Sequence, residues 1–204
     1  MAVDTGSKPV LFTHDNIPWP LRPATSTPLN IVDPELAATW AAMSHFCTLL
    51  NNATKAKITE ETFCHNMGSI MYRLLHQRFQ RGSHDETVRV GLLAFAAPIF
   101  LHWNREEFHT GYFICLYREA LLLHSDHNPQ GHAWLLMVGA LAVTHEQPDG
   151  LLGPLLKTSI ELNGVSSWDG MRELLSSVLW VGVVYDRAGQ EVFEQICTRI
   201  KLIQ

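Results

Sequence analysis

Two stretches of this chain, residues 90–101 (VGLLAFAAPIFL) and 133–144 (AWLLMVGALAVT), carry no charged side chain. A helix that is apolar on every side has no face to offer to water, so it belongs in the middle of a packed protein. Each run is about 12 residues long, short of the ~20 that a bilayer requires. Burial inside protein is therefore the expectation, and a membrane span is not. Gly91, Ala94, Ala96, Ala97, Gly139, Ala140 and Ala142 make the two runs small-faced. Small faces let helices approach closely. One reading is that they serve packing only; the alternative is that, around a kink at Pro98, they leave room for a ligand, since apolar clefts between helices are common small-molecule sites.

The segments around these runs are one-sided. Asp33-Pro34 is a helix start, an N-cap followed by proline at the first helical position. Leu36, Trp40, Met43, Cys47 and Leu50 then recur at three- and four-residue spacing, which predicts a single apolar stripe. A second helix is expected over 59–79, with Phe63, Met67, Ile70, Met71, Leu74 and Leu75 inside. Ser83-His84-Asp85-Glu86 reads as a capping box opening a third helix to Trp103, which Pro98 should kink or end early. Further helices are predicted over 106–123, 129–145, 168–182 and 189–202, with Asn128-Pro129 and Ser167 as caps. Strict alternation and Asn-Gly hairpins are missing. The expected fold is all-α, a single globular domain of about seven helices with two central apolar helices. The helical domain spans 33–204. Residues 1–32 form a Pro-rich arm, because Pro9, Pro18, Pro20, Pro23 and Pro28 exclude regular helix there. Trp19, between two prolines, predicts that this arm packs on the body.

Charge and cysteine usage narrow the function classes. A net charge of −5 does not suit phosphate binding, which draws on a basic surface. Cys47, Cys64, Cys115 and Cys197 follow no pattern, which fits a reducing compartment; Cys47 and Cys115 fall on apolar stripes and read as core thiols. Cys64 and His65 are sequence neighbours and point in different directions on a helix. No secretory leader is evident in MAVDTGSKPVLF. The chain is expected to be cytoplasmic, or nuclear if it is a regulator. It has no Gly-x-Ser-x-Gly elbow, P-loop, dinucleotide Gly-x-Gly-x-x-Gly or His-Glu-x-x-His. No cofactor is expected.

Polar residues beside the apolar runs are the candidates for chemistry. Among 11 histidines, His102 and His109 flank the densest cluster. Glu106 and His109 have the Glu-x-x-His spacing of carboxylate-bridged di-metal bundles, but such sites need a second copy, and none is present. His124, Asp126 and His127, with His132 beyond, read either as a metal cluster or as a solvated turn. No metal is expected. A reaction in an apolar pocket would draw on hydrogen-bond donors that polarise a substrate carbonyl. The catalytic candidates are His102, His109, Tyr112, Tyr185 and Asp186, with Asp186 or Glu106 orienting a histidine. Asp186 also reads as a turn residue before the last helix. The substrate-binding candidates are Trp103, Phe95, Trp134, Met137 and Trp180.

GLLAFAAPIFLHW (91–103), WLLMVGA (134–140) and WVGVVYDRAGQEVF (180–193) together resemble the helical C-terminal domain of fungal transcription factors of the binuclear zinc-cluster type. The resemblance covers roughly residues 85–195. It includes the His102-Trp103 pair, Trp168 opening a helix with Met171 and Arg172, and Asp186-Arg187-Ala188-Gly189 ahead of Val192-Phe193. Alanine stands at 188 where the family pattern has proline. The resemblance implies a helical regulatory region, in some members responsive to small molecules. Six closely spaced cysteines, a basic stretch and coiled-coil heptads would complete such a factor; these residues contain none of them, and direct DNA binding is not expected. Two functions follow as expectations. One is a cofactor-independent cyclase or isomerase for an apolar small molecule, of the kind found in fungal natural-product pathways. The other is a stand-alone regulator acting through a protein partner. A relic without activity is the third reading.

Overall fold

The computed structural model describes residues 27–52, 58–104, 111–123, 128–142 and 152–198. These residues are helical: α1 Pro34–Asn51, α2 Glu60–His76, α3 His84–Asn104, α4 Gly111–Leu123, α5 Pro129–Ala142, α6 Leu152–Leu162, α7 Trp168–Val178 and α8 Gly182–Thr198. No strand occurs among them. The all-α expectation holds, with eight helices where the sequence predicts about seven.

Helix starts follow the local chemistry. Leu36 N donates to Asp33 Oδ1 at 2.9 Å with Pro34 beside it. Thr59 caps α2 through Thr62 N at 3.2 Å. Asn128 Oδ1 accepts from Gln130 N and Gly131 N at 3.1 and 3.2 Å, and Ser167 Oγ accepts from Gly170 N at 3.3 Å. Each cap satisfies an amide that the helix itself cannot. Only half of the predicted capping box forms. Ser83 Oγ accepts from Glu86 N at 3.2 Å, whereas the Glu86 carboxylate takes a two-pronged bond from Arg89 at 2.8 and 2.6 Å. Arg89 also donates to the Leu74 carbonyl at 2.8 Å, closing the C-terminal turn of α2. That pair is nearly enclosed, with side chains 11% and 10% exposed.

The two apolar runs lie where their composition requires. Val88, Val90, Leu92 to Ala97 and Ile99 on α3 are buried, as are Ala133 to Val138 on α5. α5 is flanked by α3, α6, α7 and α8. Small residues set these approaches. A methyl at Gly139 would sit 2.6 Å from Cε1 of Tyr117, whose hydroxyl donates to the Leu135 carbonyl at 2.6 Å. Residues 27–32 of the arm are tied to the body. Leu29 is buried, its carbonyl meets His84 Nε2 at 2.6 Å, Asn128 Nδ2 donates to the Pro28 carbonyl, and Asp85 accepts from Val32 N and Asp33 N at 3.0 and 2.9 Å. Trp19 lies outside the described residues.

Three expectations are corrected. No helix is predicted between 145 and 168, yet α6 forms there, with Pro154 in its first turn, where proline is tolerated. Its Leu152, Leu156, Ser159 and Ile160 make a buried stripe. The third helix, by contrast, reaches Asn104, next to the expected end at Trp103, with Pro98 inside it. Cys115 is exposed rather than core, since α4 turns Tyr117, Ala120 and Leu121 inward instead. Finally, Asp186-Arg187-Ala188-Gly189 is no turn: it lies inside α8, and the chain breaks earlier, between Val178 and Gly182. Asn51 holds that break from the end of α1, donating to the Trp180 carbonyl at 2.7 Å and accepting from Gly182 N at 3.0 Å.

Candidate functional site

Five helices leave an apolar cavity of about 560 Å³ between them. α1 contributes Leu50, α2 Phe63, α3 Pro98 and Ile99, α5 Leu141, and α8 Val183, Val184, Tyr185 and Ala188. The volume lies within the roughly 300–1,000 Å³ typical of small-molecule sites. Val183, on the first turn of α8, is 84% exposed and lines the cavity, so the space opens to solvent there.

Tyr185 is the member of the wall with a polar side-chain atom. It is buried, its ring 5.1 Å from Phe95 and 5.2 Å from Trp180 between centroids. Its hydroxyl donates to the Phe95 carbonyl. That acceptor sits beside the proline break: Pro98 has no amide hydrogen for the carbonyl of Ala94, four residues earlier, and Phe95 is next in line. Burial pushes the phenol well above the usual tyrosine range, and the nearby Cys47 thiol adds to the shift. A phenol so placed stays protonated at neutral pH, since desolvation disfavours its anion.

The structure brings several other candidates together, as packing. Trp134 is fully buried and its indole donates to the Leu179 carbonyl at 2.6 Å. Phe95 lies between Trp134, at 5.7 Å, and Tyr185. Trp180 donates through Nε1 to Asp186 Oδ1 at 2.7 Å, and the other carboxylate oxygen lies 3.7 Å from Arg172. Asp186 therefore orients an indole and faces an arginine; it does not hold a histidine within the described residues. Met137 is buried in α5. Of these candidates, Tyr185 lines the cavity. His102 and Trp103 fall on the last turn of α3 and Tyr112 on the first turn of α4; their side chains lie outside the described residues, as do His109 and Glu106 entirely. The 124–127 cluster is also outside them. Among the described residues, no three His, Cys, Asp or Glu side chains gather to hold a metal ion, and no helix is long and apolar enough to cross a membrane.

The remaining lining residues carry no chemical signal in the sequence. Pro98, a proline inside an apolar helix, is the exception that the sequence marks, and the paired Val183-Val184 puts two branched apolar side chains on an exposed turn. Compared with protein-family models, with curated proteins and with solved structures, the chain matches none.

Proposed function

We propose that this chain binds an apolar small molecule in the cavity between α1, α2, α3, α5 and α8, and that its activity is a cofactor-independent cyclisation or isomerisation of that molecule. The observation that carries the reading is the wall itself: eight hydrocarbon side chains and one tyrosine whose proton is already donated to backbone. Walls of this kind supply shape and, away from the opening at Val183, exclude water. Holding a chain in its reactive fold is what a pericyclic or other unimolecular ring closure needs, and such positioning contributes up to about 7–11 kcal/mol in the best cases. Tyr185 and Asp186 are both engaged in internal bonds, which favours a shape-driven closure over one that relies on proton transfer from either.

Binding is tested with a neutral solvatochromic dye such as Nile red, whose emission shifts in an apolar site. The wild type should saturate with one dye per chain. Ala188→Trp, which places a large ring on the cavity wall at an exposed helix position, should abolish the shift while leaving the helical circular dichroism intact. Saturation unchanged by Ala188→Trp would refute the assignment of the site. The reaction is tested by deleting the gene and profiling metabolites and transcripts. Accumulation of an uncyclised precursor with unchanged transcripts supports the enzyme; silenced transcripts support the regulator that the zinc-cluster resemblance implies.

A further inference from the structure

The ligand class can be narrowed further, on the reading that the cavity is a binding site. Eight of the nine lining side chains are hydrocarbon, and none carries a charge. An ionised ligand would lose its hydration and find no counter-charge there, so burying a carboxylate or ammonium is strongly unfavourable. Whatever part of the ligand lies inside, away from the opening at Val183, is therefore neutral. The volume of about 560 Å³ matches that of about 19 waters at ~30 Å³ each, enough for a compact lipid-like skeleton.

Tyr185 carries the one polar side-chain atom among the lining residues, so its state bears on which polar group is accepted. Its bond to the Phe95 carbonyl has only one possible direction, because a carbonyl has no hydrogen to give. The phenolic proton is thereby committed, and burial keeps it on the oxygen. What remains on that oxygen is acceptor capacity, and donation to a carbonyl polarises the hydroxyl so that its lone pairs accept more strongly. We infer that the cavity selects a neutral, lipid-like molecule bearing a hydroxyl group, whose O–H donates to Tyr185 Oη. A ketone or ether of the same skeleton offers only acceptors and gains nothing from that atom.

The test uses the whole chain and three neutral probes of matched skeleton, dodecanol, 2-dodecanone and dodecyl methyl ether, together with dodecanoate, each displacing Nile red. The alcohol should bind about fivefold more tightly than ketone or ether, the worth of one net hydrogen bond, although the ether is the more hydrophobic molecule. Dodecanoate should be the weakest. Tyr185→Phe, which keeps the ring, should bring the alcohol level with the ether and leave the ether within about twofold of its wild-type affinity. If that variant fails to fold, the ranking in the wild type still decides. Ketone binding as tightly as alcohol, equal binding of all three neutral probes, or tightest binding of dodecanoate overturns the inference while the cavity reading stands. Failure of every probe and of the dye overturns the cavity reading, and this inference with it.

Discussion

Replacing Gly189 with alanine tests the placement of the Asp186–Gly189 segment inside α8. In an open helix interior, Gly→Ala stabilises by about 0.8–1.0 kcal/mol, because glycine gives up more backbone freedom and alanine is the best helix former. At Gly189 the new methyl would lie 2.7 Å from Cη2 of Trp168 and 3.1 and 3.3 Å from Cζ2 and Cη2 of Trp180. Neither ring yields easily. Trp180 is pinned through its indole to Asp186 at 2.7 Å, and Trp168 stands edge-on to Trp180 and 6.2 Å from Phe193. Overpacking of this kind destabilises by about 1–3 kcal/mol. The helix gain offsets part of it, so the net loss should be about 1–2 kcal/mol, a melting-temperature drop of roughly 2–8 °C for a chain of this size. Gly68, inside α2, supplies the control: a methyl there meets nothing within 4 Å, so the same substitution should raise stability by up to about 1 kcal/mol. Chemical denaturation of both variants, read by circular dichroism, gives the signs. Trp168→Phe removes the offending Cη2 and should relieve part of the Gly189→Ala penalty in a double-mutant cycle. A stabilised Gly189→Ala, or no coupling to Trp168, would refute the placement.

Asn51→Ala removes both bonds that hold the break between α7 and α8; a loss of about 1–2 kcal/mol is expected in denaturant titrations. A thiol-reactive reagent should modify exposed Cys64 and Cys115 quickly and Cys47 only on unfolding, since Cys47 is buried and its thiol is pushed up to about 12; mass spectrometry of timed samples reads this. The same shift makes stability pH-dependent. A folded value raised above the ordinary thiol value of 9.0 means the contribution of Cys47 is fully present below pH 9 and is lost as pH climbs from 9 toward 12. The slope there is up to about 1.4 kcal/mol per pH unit. Wild type should therefore lose stability more steeply over that range than Cys47→Ala, in which the two buried tyrosines, also raised by burial, are unchanged; parallel curves would contradict it.

Helix content was legible because caps and stripes are local. Asp33-Pro34, Thr59, Asn128-Pro129 and Ser167 mark starts that need only their next three residues, and a run such as 133–144 cannot be solvated on any side. Where the reading failed, a distant partner decided. Gly189 looks like a turn glycine in one dimension; in three it is the place where two indoles cross the helix. No helix is expected over 152–162, yet the stripe of Leu152, Leu156 and Ile160 there packs on α5. The site was less legible. Tyr185 was identifiable as a candidate, but Leu50, Phe63, Leu141 and Ala188 are ordinary apolar residues, and nothing in their local sequence says that they share a wall.

The sequence by itself determined that this chain is helical and that the apolar segments around 92–97 and 133–138 belong to its interior. Those properties follow from periodicity and from the free energy of leaving apolar surface in water, both of which are functions of local composition. Tertiary structure alone decided that five helices stop short of filling the space beside Pro98, and that the Tyr185 proton goes to the Phe95 carbonyl. Cavities and committed protons depend on where separate segments meet, to within about an ångström, and pairings at a separation of 90 residues have no local signature.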